Sequence, residues 1–412
     1  MALTIGLTIY ARWFLDYPLC GTDEQNYLKI FEWLDRGGSW PISGPGYAEL
    51  IFALRQWVGL DTRTSVITVA VLNSALVLPL ALWLLYRINL GKICSVWQCL
   101  PWLFISSYFL GPWLEGRPQQ FGMVLVAMGA WLAHQDLRLY GKYKPGFFVI
   151  WILCFAYHAL SFVILTTLAF GFWVRSFIQH HSGYRELAVL TTGLIGCLAL
   201  GKLWYPLIWV DIYTNHIQGT GVGTFFGLLA VAATSGLLMS RWLRIRRIGL
   251  SVGRQIRDCL AVPLFPWLTA AIVGLALVWQ YMWLGGFYRG LNPLHVLWYQ
   301  GGNLLFGGLF LLGLWRLGQT SVLELAFFVE SSAILMVLGA IFLILTPWLR
   351  DHNWTLRVIT YWIWYAAPLA AWGWLHLAPR WRWGLLLICP TLLIGGLSHV
   401  LYAPTWTCQA LG

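Results

Sequence analysis

Apolar residues gather in long runs along this chain, at about 1 to 15, 65 to 86, 95 to 112, 118 to 134, 147 to 174, 186 to 209, 222 to 240, 262 to 284, 303 to 315, 323 to 346, 357 to 377 and 383 to 403. Most have the length a helix needs to cross a hydrocarbon layer roughly 30 Å thick at about 1.5 Å per residue. The run at 147 to 174 is longer and holds Tyr157 and His158 at its middle, which predicts two shorter helices meeting at a tip.

The pattern changes between the first two runs. Tyr27, Ile30, Phe31 and Leu34 recur at i, i+3, i+4 and i+7, while Gln25, Asn26, Lys29 and Glu32 take the opposite face. This spacing predicts an amphipathic helix, opened by the capping-box spacing of Thr22 and Gln25 and ended by Gly37 and Gly38. After the turn residues Ser43-Gly44-Pro45-Gly46, a second helix is expected with Tyr47, Leu50, Ile51 and Leu54 on its apolar face. Such helices suit the membrane interface. The expected fold is all-α and polytopic, with about 12–13 transmembrane helices. It forms one integral-membrane domain over 1–412, in which 16–64 is the first extracytoplasmic loop, 65–412 the remaining helices, and no part a separate soluble domain.

Composition agrees: 59% of residues are apolar and 10% charged, against about 45–50% and about 25% in soluble domains. The net charge of +11 invites a nucleic-acid reading. The bases instead crowd short loops between apolar runs, above all Arg241, Arg244, Arg246, Arg247, Arg254 and Arg257, which is the positive-inside pattern. If 147 to 174 is a hairpin and the N-terminus is cytoplasmic, sixteen Lys and Arg fall inside and eight outside. A single span there with the N-terminus outside gives the same ratio. Segment 16 to 64 holds seven of the fifteen acids, so the first arrangement, with thirteen spans and this loop outside, is the preferred one. Eight cysteines without a C-x-x-C pair show neither a zinc site nor a dithiol motif.

Asp23 and Glu24 fall in the first turn of the amphipathic helix, where carboxylates complement the helix dipole. A carboxylate held at the membrane surface can at the same time act as a general base or metal ligand. Cys20-Gly21-Thr22-Asp23-Glu24-Gln25-Asn26-Tyr27, then Gly37-Gly38-Ser39-Trp40-Pro41 and Gly46-Tyr47, resembles the first external loop of the GT-C glycosyltransferases. The pattern is most similar to protein O-mannosyltransferases and lipid A aminoarabinose transferases, over about residues 16 to 60. The resemblance implies Asp23 and Glu24 as catalytic residues, with Tyr27 and Tyr47 binding substrate. The family's second acid, near the start of the fourth span, has no Asp counterpart here; Glu115 and Arg117 are the charges available in Trp113-Leu114-Glu115-Gly116-Arg117.

His158, at the expected tip, is a candidate for the donor phosphate or for a hydrogen-bonded packing role. Arg289, Arg350, His352 and Arg357, on later external loops, are further candidates for the cation a leaving phosphate needs. Gly219-Thr220-Gly221-Val222-Gly223 lacks the Lys-Ser/Thr of a nucleotide P-loop. The resemblance implies an inverting transferase that moves a sugar from a polyprenyl-phosphate donor to a lipid, glycan or protein acceptor on the extracytoplasmic face of the cell (inner) membrane. It leaves room for a divalent cation (Mg or Mn) and needs no nucleic acid. The rival readings are a multi-span transporter or lipid flippase, for which Glu324 and Glu330 at or within a span are the best argument, and a lipid-linked glycan polymerase or ligase, which usually carries its long loop late in the chain.

Overall fold

The computed structural model describes residues 23–38, 45–88, 95–106, 109, 118–179, 182–206, 293–319, 325–345 and 354–411. The expected runs at 1 to 15, 222 to 240 and 262 to 284, and the Thr22 half of the capping box, lie outside them. Every regular element among the described residues is helical. In chain order these are α1 (Asp23–Asp35), α2 (Gly46–Ala53), α3 (Thr62–Arg87), α4 (Val96–Ile105), α5 (Pro118–Tyr140) and α6 (Pro145–Tyr157), then α7 (Ala159–Ile178), α8 (Tyr184–Trp204), α9 (Pro293–Gln319), α10 (Ala326–Leu345), α11 (Trp354–Leu375) and α12 (Pro379–Leu411). Among the described residues α3, α7 and α8 are long and apolar enough to cross a membrane. Their outward faces keep large apolar side chains in the open, Leu203 of α8 at 80% exposure among them, as lipid contact requires and water does not favour.

The long run at 147 to 174 folds as a hairpin. His158 leaves the helical conformation at φ −158° and ψ 110°, ends α6 and caps α7. The two helices then fold back on each other: Trp151 Nε1 donates to Thr166 Oγ1 at 2.8 Å and the Tyr143 hydroxyl donates to the Ala169 carbonyl at 2.8 Å. Helix α5 lies beside both, parallel to α7. Gly122 meets Ser161, Gly129 meets Leu165, and the Ser176 hydroxyl reaches the Leu137 carbonyl.

Both amphipathic helices form. Gly37, at φ +81°, follows α1, and α2 continues as one π turn (Leu54–Val58) that Gly59 ends at φ +77°. These two positions take the left-handed conformation that glycine adopts without a Cβ penalty. The expected apolar face of α1 is confirmed by Phe31, which is fully buried with Tyr47, Ala48 and Ile51 of α2 and Val66 and Val69 of α3. Arg55 fastens the pair, donating to both Asp35 carboxylate oxygens at 3.1 and 3.3 Å while its guanidinium lies 5.2 Å from the Phe31 ring centre. One expectation fails: Leu50 is 50% exposed and Ala48 takes its place inside. The face that α2 turns to α3 is rotated from the face its hydrophobicity suggested: Leu50, Phe52 and Trp57 stay outward, as Trp33 of α1 does, where a membrane interface accepts them.

Several boundaries also differ from the apolar runs. Helix α4 stops at Ile105, where Ser106 turns extended and donates from its hydroxyl to Asn303 Oδ1 at 2.6 Å. Helix α5 runs beyond its apolar stretch through a polar last turn, and α9 outruns its stretch at both ends, mostly at its start, from Pro293. At the start of α3, Asp61 accepts from the Thr64 backbone N–H at 3.0 Å and from its hydroxyl, and these bonds hold its carboxyl below the usual carboxylate range.

The two ends of the bundle differ in charge. The end with the α6–α7 turn, here the tip end, carries α1, α2, the start of α3, the end of α8 and the start of α11, and mixes Lys29, Arg36, Arg55, Arg63, Lys202 and Arg357 with Glu32, Asp35, Glu49 and Asp61. The opposite end carries Arg87, Arg138, Lys142, Lys144, Arg175, Arg185, Arg316, Arg380 and Arg382 against Asp136, Glu186 and Glu330, and is clearly basic.

Candidate functional site

At the tip end the α6–α7 turn gathers polar side chains into an otherwise apolar core. The His158 ring caps α7: Nδ1 accepts from the Ser161 backbone N–H at 3.3 Å and lies 2.9 Å from the Ser161 hydroxyl. The Ser161 hydroxyl is in turn 2.7 Å from the Tyr361 hydroxyl of α11, which is itself 3.3 Å from His158 Nδ1. Accepting at Nδ1 places the proton of the neutral ring on Nε2. Ser161 and Tyr361 are fully buried, and His158 keeps partial exposure. Arg357 stands one turn before Tyr361 in the first turn of α11, so the two share a face.

Small residues make the close packing possible. A Cβ at Gly122 would meet the Ser161 hydroxyl, and one at Gly46 would press on Tyr157. Through Gly46 and Tyr47 the first-loop segment reaches the turn directly: Tyr47 and Tyr157 pack edge to face with ring centres 6.1 Å apart, and Phe121 closes on Tyr157 at 5.0 Å.

The structure therefore brings together two of the residues singled out in the sequence, Tyr47 and His158, through Tyr157. Asp23 and Glu24 begin α1, as the periodicity predicts, on the segment that packs against α2 and α3. The side chains of Asp23, Glu24 and Tyr27 lie outside the described residues, as do Glu115, Arg117 and Glu324 altogether. Among the described residues no three His, Cys, Asp or Glu side chains converge as a metal site would require.

Sequence reasoning missed Ser161 and Tyr361. The His-x-x-Ser spacing at a helix start is a capping signal that points to Ser161; Tyr361 lies hidden among the aromatics of α11. It also missed the partners of Glu330, whose carboxylate pairs with Arg175 and lies 3.3 Å from His134 Nε2, at the opposite end of the bundle. No family model, no curated protein and no solved structure matches the chain.

Proposed function

We propose that this chain is an inverting glycosyltransferase of the GT-C type, taking a sugar from a polyprenyl-phosphate donor at the extracytoplasmic face of the membrane. The observation that carries the reading is the contact of the first-loop segment, through Tyr47, with the turn that holds His158, Ser161 and Tyr361. It brings the segment with the family-like Asp-Glu pair to the end of the bundle where polar groups gather inside an apolar core.

In this reading Asp23 accepts the proton of the acceptor hydroxyl as that oxygen attacks the anomeric carbon from the side opposite the phosphate. The carbon–phosphate-oxygen bond breaks, and polyprenyl phosphate leaves as a stable anion without a general acid. Its charge falls to Arg357, by charge and bidentate geometry, and to the Nε2–H of His158. Tyr47 and Tyr157 offer aromatic faces for the sugar, and the isoprenoid tail lies in lipid between helices. A divalent cation has no donor set among the described side chains, so no step is assigned to it.

A transporter is the second reading, and the Arg175–Glu330–His134 group is the observation in its favour, since ionisable residues among membrane helices mark pathways by default. These three compensate one another near the basic end, which suits packing equally well.

The charge of the two ends supports this orientation, because basic residues favour the cytoplasmic side. With native accessible cysteines replaced by serine, Glu49→Cys should react with a membrane-impermeant thiol reagent in intact cells, whereas Lys142→Cys should react only after permeabilisation. The reverse pattern would put the acidic loop in the cytoplasm, away from any externally presented donor.

A further inference from the structure

At the basic end α5, α7 and α10 enclose a cavity of about 130 Å³ lined by His134, Arg138, Arg175, Ser176, Gln179 and Glu330. It is open on one side and lies far from the tip end: His134 is twelve residues along α5 from Gly122, roughly 18 Å at the helical rise. The tip-end chemistry does not use it.

Its hydrogen-bonding inventory is unbalanced. The one carboxylate, Glu330, is already taken by Arg175 Nη1, and with His134 Nε2 accepting from that same Nη1 at 3.3 Å the neutral ring carries its proton on Nδ1. A guanidinium has five N–H donors, and that of Arg175 spends only those on Nη1. Among the described residues Arg138 has no ion pair and the Gln179 side chain no hydrogen bond. His134 is 4% exposed, with its ring between Phe172 and Phe327, and its Nδ1 is buried without a hydrogen-bond partner. A buried imidazole nitrogen without a partner calls for a ligand or a water. The cavity thus has two guanidinium groups with donors to spare, one unsatisfied imidazole nitrogen, and, besides Glu330, only the neutral oxygens of Gln179 and Ser176 as acceptors.

We infer that this cavity is a binding site for a phosphate group, carried by an anionic lipid of the cytoplasmic leaflet or free in the cytoplasm. A phosphate supplies the second anion that two guanidinium groups beside a single carboxylate lack, and a basic pocket between helices on the cytoplasmic side is where lipid headgroups are held. Arg138, exposed and on the rim, meets the phosphate first. Arg175 and Gln179 close on it from α7. The inference does not depend on the glycosyltransferase reading.

The test uses the full chain purified in detergent and Arg138→Gln, which removes the charge at an exposed position and spares the Arg175–Glu330–His134 group. Two probes are titrated: phosphatidic acid, read as adducts by native mass spectrometry, and inorganic phosphate, read as a rise in thermal midpoint. A lipid adduct on the wild type that weakens about tenfold or more in Arg138→Gln supports the site with a lipid source. A phosphate-dependent rise that the variant loses, without lipid adducts, supports the site with a free-phosphate source. No response to either probe, or equal responses in the two proteins, overturns the inference.

Discussion

Asp23→Asn is expected to lower sugar transfer by about 10²–10⁴-fold, the usual contribution of a general base, while leaving the helical bundle intact. Asparagine keeps the shape of the side chain and removes only its charge and its capacity to take a proton. The first turn of α1 tolerates the change, because the core of this segment is built further along, from Phe31 against Tyr47, Ala48 and Ile51. Transfer from a purified lipid-linked donor is the measurement, and an unchanged circular dichroism spectrum is the control. Turnover within a few-fold of wild type would remove Asp23 from the base role and direct attention to Glu24.

The amphipathic helices were legible because their periodicity is local: the 3.6-residue repeat from Tyr27 to Leu34 states which side is buried before any partner is known. What they pack against was not. Leu50 belongs to the same apolar arc as Ile51 by sequence, yet α2 settles on α3 with Ala48 inward, and Leu50 faces outward where a bilayer interface accepts it. In lipid an exposed Leu costs little, so hydrophobicity alone stops discriminating between the two faces. The hairpin at His158 was legible for the opposite reason, since a polar residue in mid-run has few places to go.

A second large effect is expected where α9 crosses α11. A Cβ at Gly313 would run into the Leu369 carbonyl oxygen, and one at Gly373 into the Leu309 carbonyl oxygen, so backbone meets backbone with no flexible side chain to yield. This small-residue crossing is the means by which membrane helices approach closely. Gly313→Ala should destabilise the purified protein by about 1–3 kcal/mol, a sizeable part of a typical net stability of about 5–15 kcal/mol. Gly308 lies on the same helix, and a Cβ there would have nothing within 4 Å, so Gly308→Ala should be neutral or stabilising by up to about 1 kcal/mol through helix propensity. Thermal midpoints of the two variants in one detergent should therefore move in opposite directions; equal shifts would mean that the crossing is not the close contact described.

The polar group at the tip end was only partly legible. His158 stood out as a lone imidazole in an apolar run, and Tyr47 through the first-loop resemblance, but the bond between Ser161 and Tyr361 joins residues two hundred positions apart. No local pattern reports such a pairing. Arg357 could be named among several external cations; of these it is the one among the described residues, one turn before Tyr361. The same distance in sequence hid the Arg175–Glu330–His134 group, in which three helices each contribute one residue.

The most direct test of the proposed donor site is the binding of polyprenyl monophosphate to the purified protein, followed by native mass spectrometry. His158→Asn keeps a side chain able to cap α7, and Arg357→Gln removes one charge from the first turn of α11; neither change is expected to unfold the bundle. Wild-type protein should hold one polyprenyl monophosphate, and each variant should hold it at least about tenfold more weakly, with phosphatidic acid binding unchanged at the opposite end. Absence of polyprenyl monophosphate binding by the wild type, or equal binding by wild type and both variants, would contradict a donor-phosphate site at the tip end.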